Sequence, residues 1–380
     1  MKCIVNGRIL MPDGIIDRKV LCFDERILEI ATQPPQGAQI VDARGGYVAP
    51  GLIDLHCHGF NGWDTSHASV EELRKMCAWS VRNGVTGWLP TTATLEWGTL
   101  ERCFASVRQA MRESALPGWE GAQVLGCHAE GPFINAKRRG AMPGEHILKP
   151  NIAMIRPWAD VIRLITVAPE LDGATAFIRA ARQLGLFVSM GHSDATADQG
   201  FAGIEAGATQ LTHTFNAMPE LNHRDPGLIG AAMNDDQVYC ELIADTVHVS
   251  PLLFPIMARL KSHRLVLVTD SMQLAGLPDG EYELLGRRIS VEADRCRLAD
   301  GTIAGSTLTM DRAVRNFVKN AGIPLWRVVN MASLYPARAI RVDDRKGALQ
   351  RGKDADIIIA DGDFNIRATF VRGECVYRKQ

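Results

Sequence analysis

Residues 51–60 read GLIDLHCHGF, which sets His56 and His58 one residue apart at the end of an apolar run. In an extended strand, side chains two apart share a face, so both imidazoles stand together where the strand runs out. Paired imidazoles of this kind hold a metal. Other apolar runs end in similar chemistry: QVLGCHAEG in Glu130, LFVSMGHSD in His192, TQLTHTFNAM in His213, VYCELIADTVH in Asp245 and His248, and RLVLVTDSM in Asp270. A single histidine at a strand end is ordinarily a satisfied hydrogen-bonding residue. Five of the ten histidines at equivalent places point instead to a nest that binds Zn²⁺ or Fe²⁺. The candidate metal set is His56, His58, Glu130, His192, His213 and Asp270. His67, His223 and His263 have no such context and are taken as ordinary polar residues. His128, two residues before Glu130, is allowed by alternation to share its face. Cys57, between the first two histidines, should point away from what they bind.

These residues need a scaffold that brings strand ends together. Eight β-rich runs alternate with helical stretches: LIDLHCH, TGWLPTTAT, QVLGCHAEG, VIRLITVAPE, LFVSMGHSD, TQLTHTFNAM, VYCELIADTVH and RLVLVTDSM. Segments such as SVEELRKMCAWSVRNG, LERCFASVRQAMRES and GATAFIRAARQLG carry apolar positions at three and four spacing, with Gly near their ends. Eight βα units imply an α/β fold, a (β/α)8 TIM-like barrel, with catalytic groups at the C-terminal ends of its strands. Both termini have a different character. CIVNGRIL contains an Asn-Gly pair read as a turn, MPDG a second turn, and QPPQG a loop; ADIIIADGDF and ATFVRGECVY are strands joined by Gly and Asp turns. The expected division is a small β-domain from residues 1–50 and 346–380 and a barrel from 51–345.

Lys and Arg number 42 against 43 Asp and Glu, so bulk charge selects neither nucleic acid nor an anionic membrane as partner. An anionic ligand must be gripped locally. No stretch approaches the ~20 apolar residues of a membrane span, and the start has no signal-peptide pattern. The expectation is a soluble, cytoplasmic protein. Nine scattered cysteines without a C-x-x-C pair suit reduced, mostly buried thiols.

The combination IDLHCHG, HAEGPF, GHSDAT, THTFNAM, ADTVHV, VTDSMQLAGLPDGEY and AGSTLTM resembles the amidohydrolase superfamily and, within it, the N-acetylglucosamine-6-phosphate deacetylases. The likeness runs in order along nearly the whole chain, including terminal segments that in this family form a small β-sandwich beside the barrel. It implies a principal metal site on Glu130, His192 and His213. His56 and His58 add a second site that shares Glu130 and is approached by Asp270, and one versus two metals per subunit stays open. Zn²⁺ heads the candidates, with Fe²⁺ and Mn²⁺ as alternatives. VIRLITVAPE has no lysine, which argues against a carboxylated-lysine bridge of the dihydroorotase and hydantoinase type.

The implied reaction is hydrolysis of the acetamide of N-acetyl-D-glucosamine 6-phosphate to D-glucosamine 6-phosphate and acetate. Asp270 is placed as general base and then as proton donor to the amine, and His248 as donor to the carbonyl oxygen or as a sugar contact. No G-x-x-x-x-G-K-[ST] loop is present to hold a phosphate. The resemblance assigns that grip to Asn216, Ala217 and Arg224, and the sugar contacts to Ala141, His248 and the loop Ile303, Ala304 and Gly305. It also implies a homodimer, leaving open whether the partner subunit reaches the phosphate pocket.

The chain departs from the family pattern at RRGAMPGEH, where Met142 stands in place of a histidine that reaches the sugar. Met142 cannot donate a hydrogen bond. The expectation is that His146 takes over the contact or that the substrate differs there. Thr246 in ADTVH occupies a position where glycine is common in the family. Rival readings are a deacetylase of N-acetylgalactosamine 6-phosphate or another N-acyl amino sugar phosphate, and a non-catalytic binding protein, which eroded ligands would mark.

Overall fold

A computed structural model of the chain describes residues 1–284, 287–292, 295–298, 301, 303 and 305–379. Eight parallel strands close around one axis: Leu52–Cys57, Val85–Thr92, a third in two pieces (Gln123–Val124 and Cys127–Glu130), Ile162–Val167, Phe187–Met190, Gln210–Leu211, Tyr239–Ile243 and Leu265–Val268. Each pairs with its neighbour in chain order. The eighth meets the first through the chain just past its end, where Asp270 N donates to His56 O at 2.8 Å and His58 N to Ser271 O at 2.8 Å. The eight runs expected from sequence are therefore the eight barrel strands, and closure places their ends on one rim.

Helices Val70–Ser80, Trp97–Ser114 and Ala174–Gln183 occupy the stretches that periodicity marked. The first begins at a capping box in which Ser69 and Glu72 satisfy each other's backbone N–H groups. It buries Leu73, Met76 and Cys77 against the barrel, while Glu71 and Arg74 face water. This is the apolar stripe that the sequence shows.

The termini build one mixed sheet of eight strands. Lys2–Met11, Gly14–Phe23, Ile27–Ala31, Gln39–Asp42 and Tyr47–Pro50 come from the first segment, and Ile357–Ala360, Ile366–Val371 and Glu374–Arg378 from the last. The two ends of the chain join where Tyr47–Pro50 runs antiparallel to Ile357–Ala360. Ile4, Leu21, Phe23, Ile27, Val48, Ile357 and Phe370 form its own core, so the sheet packs on itself.

One local expectation is corrected: Asn6-Gly7 is not a turn. Lys2–Met11 runs straight through it as one strand, with shifts of register on either side of Gly7 and Asn6 at φ 55°. The pair bends the strand so that its first half lies beside Gln39–Asp42 and its second beside Tyr47–Pro50. Only glycine fits at 7, because a Cβ there would stand 2.4 Å from Val48 Cγ2. An Asn-Gly pair supplies positive φ equally well to a bulge or a turn, and here the crowding by Val48 selects the bulge.

Eight of the nine cysteines are buried and all are free, with Cys375 exposed. Between barrel and sheet, Lys346 is 1% exposed and its Nζ lies 2.6 Å from Asp356 Oδ2 and 3.1 Å from Asp354 Oδ2. Removing one member of such a group strands buried charge. Lys346→Met is expected to destabilise the protein by about 3–5 kcal/mol, read as a lower denaturant midpoint with unchanged slope.

Candidate metal centre

The strand ends deliver their polar side chains by leaving the strand sharply. His192, His213 and Asp270 each sit just beyond a barrel strand with φ of 47°, 28° and 47°. Such backbone is uncommon for residues with a side chain and costs about 1–3 kcal/mol per residue. It turns three side chains inward to meet those of His56, His58 and Glu130.

Glu130, 1% exposed, is the centre of the group. Its Oε1 lies 3.2 Å from His56 Nε2, 3.2 Å from His192 Nε2 and 3.1 Å from His213 Nε2, and its Oε2 lies 3.1 Å from His58 Nε2. Asp270 Oδ1 stands 3.4 Å from both His56 Nε2 and His58 Nε2. Of three sets of three converging donors, two share the Glu130 carboxylate, His56, His58 and Glu130, and Glu130, His192 and His213; the third is His56, His128 and Glu241.

The chemistry of these donors suits a cation. His56 Nδ1–H donates to Glu241 Oε2 at 3.0 Å, and His192 Nδ1–H to the Arg138 carbonyl at 2.7 Å. With that proton placed, each neutral ring turns a bare Nε2 lone pair inward. His192 and His213 then face each other Nε2 to Nε2 at 3.1 Å, and His56 and His58 at 3.3 Å. Opposed lone pairs repel unless a proton or a metal ion lies between them. Ligands at 2.0–2.2 Å from a tetrahedral ion are themselves about 3.3–3.6 Å apart, close to the spacing seen. The acidic groups act on protons in the same way. Burial opposes charging of His58, yet Asp270 and Glu130 raise its pKa to about 9. Protons and metal compete for these nitrogens.

His128 is excluded from this set by its bonds. Its Nδ1–H donates to Leu55 O at 3.1 Å and its Nε2 accepts from Thr166 Oγ1 at 2.8 Å, and burial holds its pKa well below the usual imidazole value. It is a neutral core residue. Cys57 turns away as expected, its thiol near Gly59 O and Ser271 Oγ. His67 pairs with Asp64, His263 with the Tyr335 hydroxyl, and His223 is exposed.

A cavity of about 300 Å³ opens over the centre. His58, Glu130, His192, His213, His248 and Asp270 form its floor and side, together with Ala141, Asn216, Ala217, Ile303 and Gly305 of the expected substrate contacts. Asp245 holds His248 through Oδ2 to Nδ1 at 2.6 Å and fixes its backbone N at 2.9 Å, so Nε2 is the free ring nitrogen. Burial disfavours the imidazolium, but the Asp245 carboxylate raises its pKa above the usual value. Thr246 holds the turn between them at φ 70°, which explains why glycine suits that position.

Two expectations meet a different arrangement. His146 does not line the cavity, whereas Met142 does, 9% exposed and fixed by a hydrogen bond from Thr94 N to its Sδ at 3.0 Å. His146 ends a short 3-10 turn, Gly144–His146, and is not among the residues that line the cavity. Arg224 is exposed on the segment 220–225 and does not line the cavity within a single chain. Ala304 lies outside the described residues.

Glu241 and Asp54 are buried carboxylates bonded to the centre that sequence reasoning passed over. Glu241, fully buried, also accepts from His213 N at 3.2 Å and so orients two histidines at once. Asp54 accepts from Thr269 Oγ1 at 2.6 Å and from His56 N at 3.3 Å, tying the first strand to the eighth; burial pushes its pKa up to about 6. The available signal was a carboxylate inside an otherwise apolar strand, which a barrel tolerates only with partners.

A closed parallel barrel that gathers imidazoles and carboxylates at the ends of its strands, beneath a cavity of substrate size, has the architecture of a metal-dependent hydrolase. Comparison with known proteins agrees. The model of the amidohydrolase family matches residues 47–376, and the chain belongs to that family, whose members imply a divalent metal. It is 36% identical over 371 residues to the N-acetylgalactosamine-6-phosphate deacetylase of Escherichia coli O157:H7, covering 97% of each chain. It is also 36% identical over 384 residues to the N-acetylglucosamine-6-phosphate deacetylase of Bacillus subtilis (strain 168), covering 98% of this chain and 93% of that one. Among solved structures, the N-acetylglucosamine-6-phosphate deacetylase of Pasteurella multocida superposes with a TM-score of 0.93 at 30% identity, covering 100% of both chains. A mutant of the Mycobacterium smegmatis enzyme in complex with N-acetyl-D-glucosamine-6-phosphate gives 0.90 at 32%, covering 99% of both.

Glu241→Gln replaces the acceptor that orients His56. Metal affinity is expected to fall about 10–100-fold, measured by competition with a calibrated chelator, while the fold is retained.

Proposed function

We propose that this chain hydrolyses the acetamide of N-acetyl-D-glucosamine 6-phosphate, releasing acetate and D-glucosamine 6-phosphate. The observation that carries the reading is the convergence of Glu130, His192, His213, His56 and His58 beside Asp270 and His248, on the floor of one cavity. The names of relatives matched over almost the whole chain support the substrate class.

The donor set of imidazoles and carboxylates favours Zn²⁺, with Fe²⁺ and Mn²⁺ as alternatives, in one or two positions. Such an ion, when bound, lowers the pKa of a water to ~7 and polarises a carbonyl. The protein's own groups do the remaining work. Asp270 has one carboxylate oxygen against His56 and His58 and is in part open to the cavity, so it can take a proton from an attacking water. Delivering that proton to the amide nitrogen makes the amine a competent leaving group. His248, oriented by Asp245, presents Nε2–H in its charged form to the carbonyl oxygen as negative charge develops there. Ala141, Asn216, Ala217, Ile303 and Gly305 line the space left for the sugar.

The galactosamine epimer is retained as a second reading on specific grounds. A relative bearing that name matches as well as the glucosamine enzymes do, and the cavity wall carries the thioether of Met142. A homodimer acting in the cytoplasm completes the proposal. No helix among the described residues is long and apolar enough to cross a membrane. A non-catalytic role is disfavoured because every proposed ligand, and Asp270, is present.

Asp270→Asn is expected to lower acetate release by about 10²–10⁴-fold in protein whose metal content has been measured; full activity would overturn the assignment. Assays on both epimers, with native protein and with Met142→His, are expected to show the Met142→His change shifting the ratio of their kcat/KM values, and an unshifted ratio would remove Met142 from sugar recognition.

A further inference from the structure

We infer that Glu170, just past the fourth barrel strand, is a positioning residue of the metal centre: it clamps together the two loops that set the backbone and the ring of His192. The inference rests on the reading of Glu130, His192 and His213 as metal ligands, and it gives a role to a carboxylate that bonds to none of them.

Among the described residues, the fourth strand, Ile162–Val167, gives no member to the converging donor sets. The chain beyond it holds a neighbouring loop instead. Ala168 N donates to Phe133 O at 2.9 Å, and Glu170 follows two residues later. That loop, which comes after the third strand, is the one that meets His192. Asn135 N donates to His192 O at 2.8 Å, and His192 Nδ1–H donates to Arg138 O at 2.7 Å. One short segment therefore restrains the backbone of His192, at φ 47°, and also the direction of its imidazole.

Glu170 joins this segment to the residues that follow His192. Its Oε1 accepts from Asn135 Nδ2 at 2.8 Å and from Asp194 N at 2.6 Å, and its Oε2 accepts from Ser193 Oγ at 2.8 Å. Ser193 is fully buried, and its hydroxyl in turn accepts from Ala195 N at 3.1 Å. Asp194 closes the ring of contacts, its Oδ1 accepting from Arg138 Nε at 2.8 Å. That ion pair is partly exposed to water and is worth little by itself. Three donors converging on one half-buried carboxylate make the stronger, charge-assisted bonds. Their loss lets the Arg138 carbonyl drift from Nδ1. His192 then lacks the partner that aims Nε2 at Glu130 Oε1, 3.2 Å away. Glu170 does not line the cavity, so it acts on the centre through His192 and not on a substrate.

Two readouts on the full chain test this. Chelator competition measures the affinity for Zn²⁺, and NMR of metal-free protein carrying isotope-labelled histidine reads the His192 Nδ1–H proton, assigned through His192→Asn. Glu170→Ala is expected to weaken Zn²⁺ binding about 10–100-fold, to remove or broaden the Nδ1–H signal, and to lower kcat more than it raises KM. Glu170→Gln keeps an oxygen for Asn135 and Asp194, so most of the affinity and of the signal should return. Ser193→Ala removes one bond of the three and should give a smaller loss; it decides the matter if Glu170→Ala does not fold. Unchanged Zn²⁺ affinity and signal in these variants, or a lower thermal midpoint with nothing else altered, would overturn the inference. So would a Glu170→Gln protein as impaired as Glu170→Ala. Neither readout needs turnover, which keeps the proposals apart. A native protein that binds Zn²⁺ yet releases no acetate defeats the deacetylase reading alone. One that binds no divalent ion defeats the metal-centre reading, while loss of the His192 signal in Glu170→Ala still supports the role of Glu170.

Discussion

A carboxylate at 1% exposure, surrounded by imidazoles, is the constraint on which the site depends. Glu130 cannot lie charged at the end of an apolar barrel without cations around it, and four Nε2 atoms cannot face inward without something between them. Each group makes sense only with the others present. The arrangement fixes where positive charge must be, and the barrel supplies the rigidity that prevents the groups from relaxing apart. Positive φ at His192, His213 and Asp270 belongs to the same constraint, because strained backbone persists where the surrounding fold determines it.

Behind those ligands lies a set of partners that decides how each ring presents itself. Glu241 takes the Nδ1 proton of His56, Arg138 O that of His192, and Asp245 that of His248. The first two choices aim lone pairs at the centre, and the third leaves His248 Nε2 facing the cavity, a donor when the ring is charged. His128 shows the opposite outcome with the same side chain: both nitrogens are engaged within the barrel, and the ring is a packing element. What separates ligand from core histidine is the bonding of the second nitrogen, and not position on a strand.

The barrel and its polar strand ends were legible because both follow from one-dimensional pattern: an apolar run sets the strand, and the residue that ends it sets the rim. The family motifs made the floor of the site legible for the same reason. Glu241 and Asp54 escaped notice because each sits inside an apolar run, where its meaning depends on a partner far away in the chain: His56 for Glu241, Thr269 for Asp54. Asn6-Gly7 was misread since local chemistry allows turn and bulge alike, and only the approach of Val48 decides between them. Met142 lines the cavity and His146 does not, because closeness in sequence does not fix which residues of a loop face the same space.

These successes and failures divide along the structure itself. Groups that handle the amide come from strand ends, where side-chain direction follows from backbone period and is readable. On the proposed function, groups that read the rest of the substrate come from what covers the barrel: the Gly140–Met142 segment, Asn216 and Ala217, and Ile303 and Gly305, all of which line the cavity. Their positions depend on packing between distant segments, as in Cys296 against Met272. A change such as histidine to Met142 can therefore alter which sugar is accepted without touching a ligand of the centre. On the proposed function, an inverted hydroxyl is met by the cover and the scissile amide by the rim, which fits a chain equally similar to relatives named for two epimers.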